Sequence, residues 1–369
     1  MKTAPNKAPL IVLLFCLVVL PLAAQTGKFY STNNELSSSL INQIFQDKRG
    51  FIWIATEYGL NRFDGLRFSN YKHMSGDSTS IKNNYVRTLY EDSRQNLLVG
   101  CIDGLMKYDS ETDTFREIPM IRAGKQVFPH VTQMQKLHNG EIWAVTTGQG
   151  IFRLDEEKQQ AVSIDAIMKQ VNYNFQSNLY EDSDYNIWIG TEGHGLICYL
   201  PATQEVRIFR YPAINDNYVS AIGEDKYGNL FIGTQKHGLS RYDREQNRFV
   251  PVPYTGSEEL SIYCLTLVDD HLLIGTDGQG LKTYNRMTGE IEDYSINSAP
   301  LDFSEGKIHA ILEDRDKNLW VGLFQKGIVL IPKQENPFEY YGNKSIYYNP
   351  IGQGCVMSIY QDSNHHLWV

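Results

Sequence analysis

The chain has 369 residues, 42% of them hydrophobic, and 29 glycines, which is enough apolar material for a sizeable core and enough glycine for many turns. Its 34 Lys and Arg against 43 Asp and Glu give a net charge of -9. With no basic block to offset that balance, a nucleic-acid partner is excluded on electrostatic grounds.

At the N-terminus, Lys2 and Lys7 form a positive region ahead of an apolar run from Leu10 to Leu20, and Leu22-Ala23-Ala24 places small residues before Gln25. This layout predicts a secretory signal peptide over residues 1–24, cleaved after Ala24, and hence export to the periplasm. The run is shorter than the roughly 20 residues that a membrane span needs, which disfavours an uncleaved anchor. No later stretch approaches that length, so any inner-membrane anchorage would come through a downstream segment. Beyond Cys16, the cysteines are Cys101, Cys198, Cys264 and Cys355. None lies in a CxxC pair or at a zinc-ligand spacing from a histidine, so they read as buried free thiols, and no metal or cofactor is called for.

From Phe29 onward the sequence repeats itself. Asp47 to Thr56, Asp182 to Thr191, Asp225 to Thr234 and Asp314 to Leu323 share one pattern: a turn opened by Asp, then an aromatic residue inside an apolar run. Anchored on that aromatic position, copies fall at Trp53, Leu98, Trp143, Trp188, Phe231, Leu273, Trp320 and Trp368, spaced 42 to 48 residues apart. Each copy predicts four short strands. An alternating segment such as Ile41 to Phe45 is the first, and the aromatic run is the second. A Gly-Leu or Gly-Ile pair such as Gly59-Leu60 opens the third, and Phe68, Phe115, Phe209 and Phe249 mark the fourth. The Asp carboxylate can accept backbone N–H bonds inside the turn. The aromatic residue is expected to fill the wedge between neighbouring units. Asp47, Trp53, Trp143, Asp182, Trp188, Asp225, Phe231, Asp314 and Trp320 are therefore structural repeat residues. No segment holds a 3.6-residue period. The prediction is an all-β chain, a β-propeller of four-stranded blades with almost no helix.

These motifs, together with the opening Phe29-Tyr30 followed by Leu36-Ser37-Ser38-Ser39 and Asn42, resemble the two-component regulator propeller repeat. The resemblance runs from about Phe29 to the end of the chain. Copies one, four, five and seven fit well. Copy two has Leu98 for Trp, copy three has Leu137 for the turn Asp, and copy six has Leu267 and Leu273 at the Asp and Trp positions. Membership implies the periplasmic sensor region of a hybrid two-component histidine kinase of Bacteroides-type bacteria. It also implies a second propeller, a β-sandwich, a membrane helix and kinase parts beyond this chain, with a homodimer in the full-length receptor. The expected organisation is a propeller over residues 25–337 and the start of an eighth repeat over 338–369. Phe29-Tyr30 would complete the blade begun by repeat seven. Seven blades are preferred to eight, because an eight-bladed ring would need residues this chain lacks.

In an up-and-down blade, the loops between strands two and three share a face with the connections between blades. That face collects Glu57, Tyr58, Asp103, Gln149, Glu192, His194, Gln235, His237, Asp277, Gln279 and Gln325 as candidate ligand contacts. Carboxylates, amides, imidazoles and aromatic rings suit a hydroxyl-rich ligand. The resemblance implies a glycan-derived oligosaccharide. No residues are assigned to catalysis. The recurring aspartates behave as structural residues, and no nucleophile elbow, P-loop or dinucleotide fingerprint is present. The alternatives are a propeller lyase or glycosidase using His194 or His237, and a protein-interaction scaffold.

Overall fold

The computed structural model describes residues 27–33, 35–171, 175–256, 259–294, 303–333, 357–363 and 366–368. The signal peptide expected over 1–24, Cys355 and most of 338–369 lie outside them. Seven antiparallel sheets succeed one another along the chain. Their first strands are Ile41–Gln46, Val86–Glu91, His130–Lys136, Gln176–Glu181, Val219–Glu224, Ile262–Val268 and Ile308–Glu313. Each packs against the first strand of the next sheet, and the seventh packs against the first, so the seven form a closed ring around an axis. The fold is a seven-bladed β-propeller.

Blade seven takes three strands from the end of the ring, Ile308–Glu313, Leu319–Leu323 and Gly327–Ile331, and its outer strand from the start, Lys28–Tyr30. Phe29 faces Val329 across this antiparallel pair. Blade three departs from the four-strand pattern. A hairpin of Met120–Arg122 and Lys125–Val127 adds two strands to its outer edge, with Met120 beside Ala161 in parallel register. One short helix, Asp165–Met168, lies between blades three and four and buries Ile167.

A blade is apolar on both faces, so it is stable only between two neighbours. The core accordingly divides into seven clusters, each straddling one blade–blade interface. Trp53 meets Tyr108 of blade two at 4.9 Å. Trp188 meets Tyr242 of blade five at 4.9 Å, and Trp320 meets Phe63 of blade one at 5.6 Å.

The turn aspartates connect this packing to the backbone. Asp182 Oδ1 accepts the N–H groups of Asp184 (3.0 Å) and Asn186 (2.8 Å), while Oδ2 accepts the Trp188 indole N–H at 2.8 Å. Asp47 with Trp53 and Asp314 with Trp320 repeat the indole bond at 2.8 Å. One carboxylate thus closes the turn and satisfies the polar atom of the largest buried side chain. Blades that lack a member of the pair find substitutes. Asp92 takes Asn96 Nδ2 and lies 3.8 Å from the buried Lys107 ammonium, and Asp225 takes Asn229 Nδ2. Trp143, with Leu137 in place of the Asp, donates to Glu141 at 3.0 Å. Blade six needs no Asp lock, because Asp269-Asp270 forms a two-residue turn with Val268 facing His271. Asp362 and Trp368 form the same lock at 3.0 Å in a separate two-stranded hairpin, where Trp368 is exposed.

The glycines opening the third strands of blades four and seven have a backbone reason. Gly327 sits at φ +124°, and a Cβ there would lie 2.1 Å from the Tyr30 carbonyl oxygen; Gly195 meets the Phe209 carbonyl in the same way. Only glycine combines positive φ with so close an approach of the fourth strand.

Trp188→Ala is expected to lower stability by about 3–5 kcal/mol in equilibrium denaturation, whereas Trp188→Phe, which keeps most of the packing, should cost clearly less. Gly327→Ala should push the Lys28–Tyr30 strand off blade seven. Hydrogen exchange would show faster amide exchange in 28–30 and 328–330 before any change in the blade-four amides.

Candidate functional site

Every blade carries the same irregularity in its first strand. The register with the second strand slips by one residue at positions 42, 87, 132, 177, 220, 263 and 309. Such a bulge re-aims one side chain, and here the re-aimed residues line the axial channel. In four blades the residue is small and polar and is used to join blades. Asn42 Nδ2 donates to the Val86 carbonyl, Thr132 Oγ1 to Gln176, Ser177 Oγ to Val219, and Ser220 Oγ to the Ile262 carbonyl.

The other three blades place Arg87, Tyr263 and His309 at this position. Arg87 reaches across the axis from blade two, its Nη1 donating to Tyr263 OH of blade six at 3.2 Å and to Asn42 Oδ1 at 3.3 Å. Tyr263 stacks on His309 with ring centroids 3.6 Å apart and planes 4° from parallel. Phe324 covers His309 at 4.6 Å. Asp277 approaches His309 Nε2 at 3.5 Å and pairs with Lys307 Nζ at 3.0 Å. Asn42, Arg87, Tyr263 and His309 border a cavity of about 230 Å³ on the axis.

Burial pushes the His309 imidazole down to about 4, against the pull of Asp277 towards the charged form. Burial alone would raise Asp277, but Lys307 and His309 hold its carboxyl below the usual carboxylate range. His130, half-buried against Tyr85, is lowered first by burial and then by the Arg87 charge. Burial raises the Cys101, Cys198 and Cys264 thiols to about 12, so all three are protonated at neutral pH. Cys101 and Cys198 are buried and free; Cys264 is free and partly buried.

The loops predicted to carry ligand contacts lie where the first strands begin. Glu57 N–H bonds to the Leu40 carbonyl, Gln235 to Tyr218 and Asp277 to Ser261. Of the predicted residues, only Asp277 touches the axial group. Glu57 and Glu192 act on Tyr85 and Arg87 respectively through longer-range charge. Tyr58 is exposed, under the Lys72 ammonium at 4.5 Å. Asp103 accepts from Asn83 Nδ2 at 3.4 Å, and Gln149 from Arg122 at 3.1 Å. Gln279 is turned back onto the Ser261 N–H and the Glu259 carbonyl. His194 is exposed beside the Glu192 carbonyl, and His237 pairs with Asp216 at 3.4 Å. Gln235 and Gln325 are exposed. Arg87, Tyr263 and His309 were not anticipated. Their signal was available as one repeat column, Asn42, Arg87, Thr132, Ser177, Ser220, Tyr263 and His309, in which three large residues interrupt small polar ones.

A profile of the two-component regulator propeller matches residues 35–58, 170–193, 213–236 and 302–325. These are the blades of the ring in which the turn Asp is followed six residues later by an aromatic ring. Four of the seven blades thus carry a recognisable two-component regulator propeller repeat. The extracellular domain of a hybrid two-component system of B. thetaiotaomicron, BT3049, superposes with a TM-score of 0.72 at 25% identity, over 93% of this chain and 46% of that domain. The curated histidine kinase P4 of Formosa agariphila is 40% identical over 74 residues, covering 19% of this chain and 5% of the kinase. The chain therefore spans less than half of either relative. Virginiamycin B lyase from Staphylococcus aureus shares the fold alone, with a TM-score of 0.61 at 13% identity over 84% of this chain and all of the lyase. The protein is thus a propeller of the type found in the extracellular regions of two-component systems. Among the described residues, no helix is long and apolar enough to cross a membrane.

His309 is neutral in the fold and takes up a proton on unfolding below its ordinary value near 6.5. Its contribution is complete above that pH and is lost as pH falls towards 4. Between pH 7 and pH 5 the wild type should lose roughly 1–2 kcal/mol more than His309→Phe in urea denaturation. Parallel pH profiles for the two proteins would show that the imidazole titrates alike in both states.

Proposed function

We propose that the chain is the extracytoplasmic ligand-sensing propeller of a two-component receptor, and that it recognises a glycan-derived oligosaccharide over the channel entrance. The observation that carries the site is the interruption of the repeat by Arg87, Tyr263 and His309. At these three positions large side chains replace the small polar residues that join blades elsewhere in the ring. Around that entrance, Tyr58, Phe128, Phe175, Tyr211 and Tyr218 lie on the loop and connection segments of one face, all about half exposed or more. Flat rings suit the C–H faces of sugars, while Glu57, Glu192, His194, Asp277 and Gln279 offer partners for hydroxyl groups. In this reading the leading segment is a signal peptide that directs the chain to the periplasm. Ligand binding then shifts a dimeric receptor between two arrangements by favouring one, and the signal passes to domains beyond the propeller.

Calorimetry of the chain against a panel of plant- and host-glycan oligosaccharides should give one saturable heat, with the sugar recovered unchanged. Tyr58→Ala and Tyr218→Ala should each weaken it roughly 10-fold, the loss of one stacking platform. Chemical turnover of a panel member would replace the sensor reading with an enzymatic one, and binding untouched by these substitutions would move the site off this face.

A further inference from the structure

The Arg87 guanidinium is held in an unusual setting. Among the described residues, no carboxylate lies within ion-pair distance of it, and Glu192 acts on it only through longer-range charge, although this acidic chain has 43 Asp and Glu. Its two hydrogen bonds both use Nη1 and both go to neutral oxygens, Asn42 Oδ1 and Tyr263 OH. The edge formed by Nε and Nη2, the fork that grips a planar oxyanion, has no acceptor among the described residues. Next to the Arg87–Tyr263 bridge, the buried Nε2 atom of His309 has only the long 3.5 Å approach of Asp277, and His130 Nε2, under the influence of the same guanidinium, is buried with no hydrogen-bond partner among the described residues. The Thr132, Ser177 and Ser220 hydroxyls nearby have already given their hydrogens to the next blade. The adjoining cavity, at about 230 Å³, is several times the roughly 30 Å³ that a water takes in the liquid.

We infer that the axial cavity is an oxyanion site in which Arg87 grips the acidic substituent of the ligand, a uronate carboxylate or a sulfate ester. The class of sugar selected is thereby acidic. Tyr263 and Asn42 fix the guanidinium from one side and leave its fork towards the cavity. The stacked Tyr263–His309 pair forms an apolar wall beside the bound group. Asp277 stays paired with Lys307 and adds no uncompensated negative charge at the wall. This inference refines the ligand reading of the same face and rests on it for the identity of the sugar, though not for the anion site itself.

The test uses the whole chain and two kinds of probe. The first is a galacturonic-acid tetrasaccharide beside its carboxyl-reduced neutral counterpart, with a sulfated disaccharide beside its desulfated form. The second is inorganic sulfate, compared with chloride at equal ionic strength by thermal shift. At least one acidic sugar should bind 10-fold or more tightly than its neutral counterpart, and sulfate should raise the melting temperature. Arg87→Gln should abolish both differences, while Arg87→Lys, which keeps the charge but loses the fork, should retain part of them. Which acidic sugar is preferred separates carboxylate from sulfate ester. Equal affinity of acidic and neutral sugars, unchanged in Arg87→Gln, would overturn the oxyanion site and leave the sugar-binding face standing. An Arg87-dependent sulfate shift with no sugar bound would do the reverse. Absence of any Arg87-dependent response to either probe overturns the inference outright.

Discussion

Three residues from one end of the ring, Lys28–Tyr30, pair with Ile328 to Leu330 at the other, and the rest of the architecture depends on that closure. A four-stranded blade buries both of its faces, so each needs a neighbour on both sides, and a row of seven would leave two open flanks. Tying the two ends of the ring together removes those flanks and gives every blade a neighbour on both sides. Tyr30 then packs beside Trp320, Phe63 and Phe68, so the closing strand contributes to the core as well as to the sheet.

Within the closed ring, polar groups set the angle and spacing of the blades. The turn Asp and the indole of the second strand act as one unit in blades one, four and seven. A second belt crosses from blade to blade on the turn face. The Lys48 N–H bonds to Glu91, His138 to Glu181, Ser183 to Glu224, and Arg315 to Gln46. The third belt is the set of bulge residues that donate to the next blade near the axis. The copies that have lost Trp or Asp still form sound blades because these belts and the apolar clusters carry them.

The same bulge that supplies the inner belt creates the site. It turns a single side chain per blade towards the axis, so seven positions distant in sequence meet within one channel. Four of them serve the scaffold. The remaining three form a chain of contacts from Asn42 through Arg87 and Tyr263 to His309 and Asp277. No single blade could build that chain, because its members come from blades one, two, six and seven.

The repeat length, the Asp turns and the aromatic column determined the blade, its strand count and the face shared by loops and connections, because each of these is a local consequence of chain geometry. The extra hairpin of blade three escaped such a reading, since Met120–Arg122 has no counterpart in the other copies and is held by a parallel contact with Ala161. At the site, the sequence placed eleven loop residues on one face but could not show which would be spent on local bonds. Gln279 folds back onto Ser261 and Glu259, and His237 onto Asp216, whereas Asp277 reaches the axis. Arg87 and Tyr263 are 176 residues apart, and their contact exists only because the ring sets blades two and six across one channel. Local pattern specifies the blade, but convergence on the axis is a property of closure, and only the tertiary structure decided it.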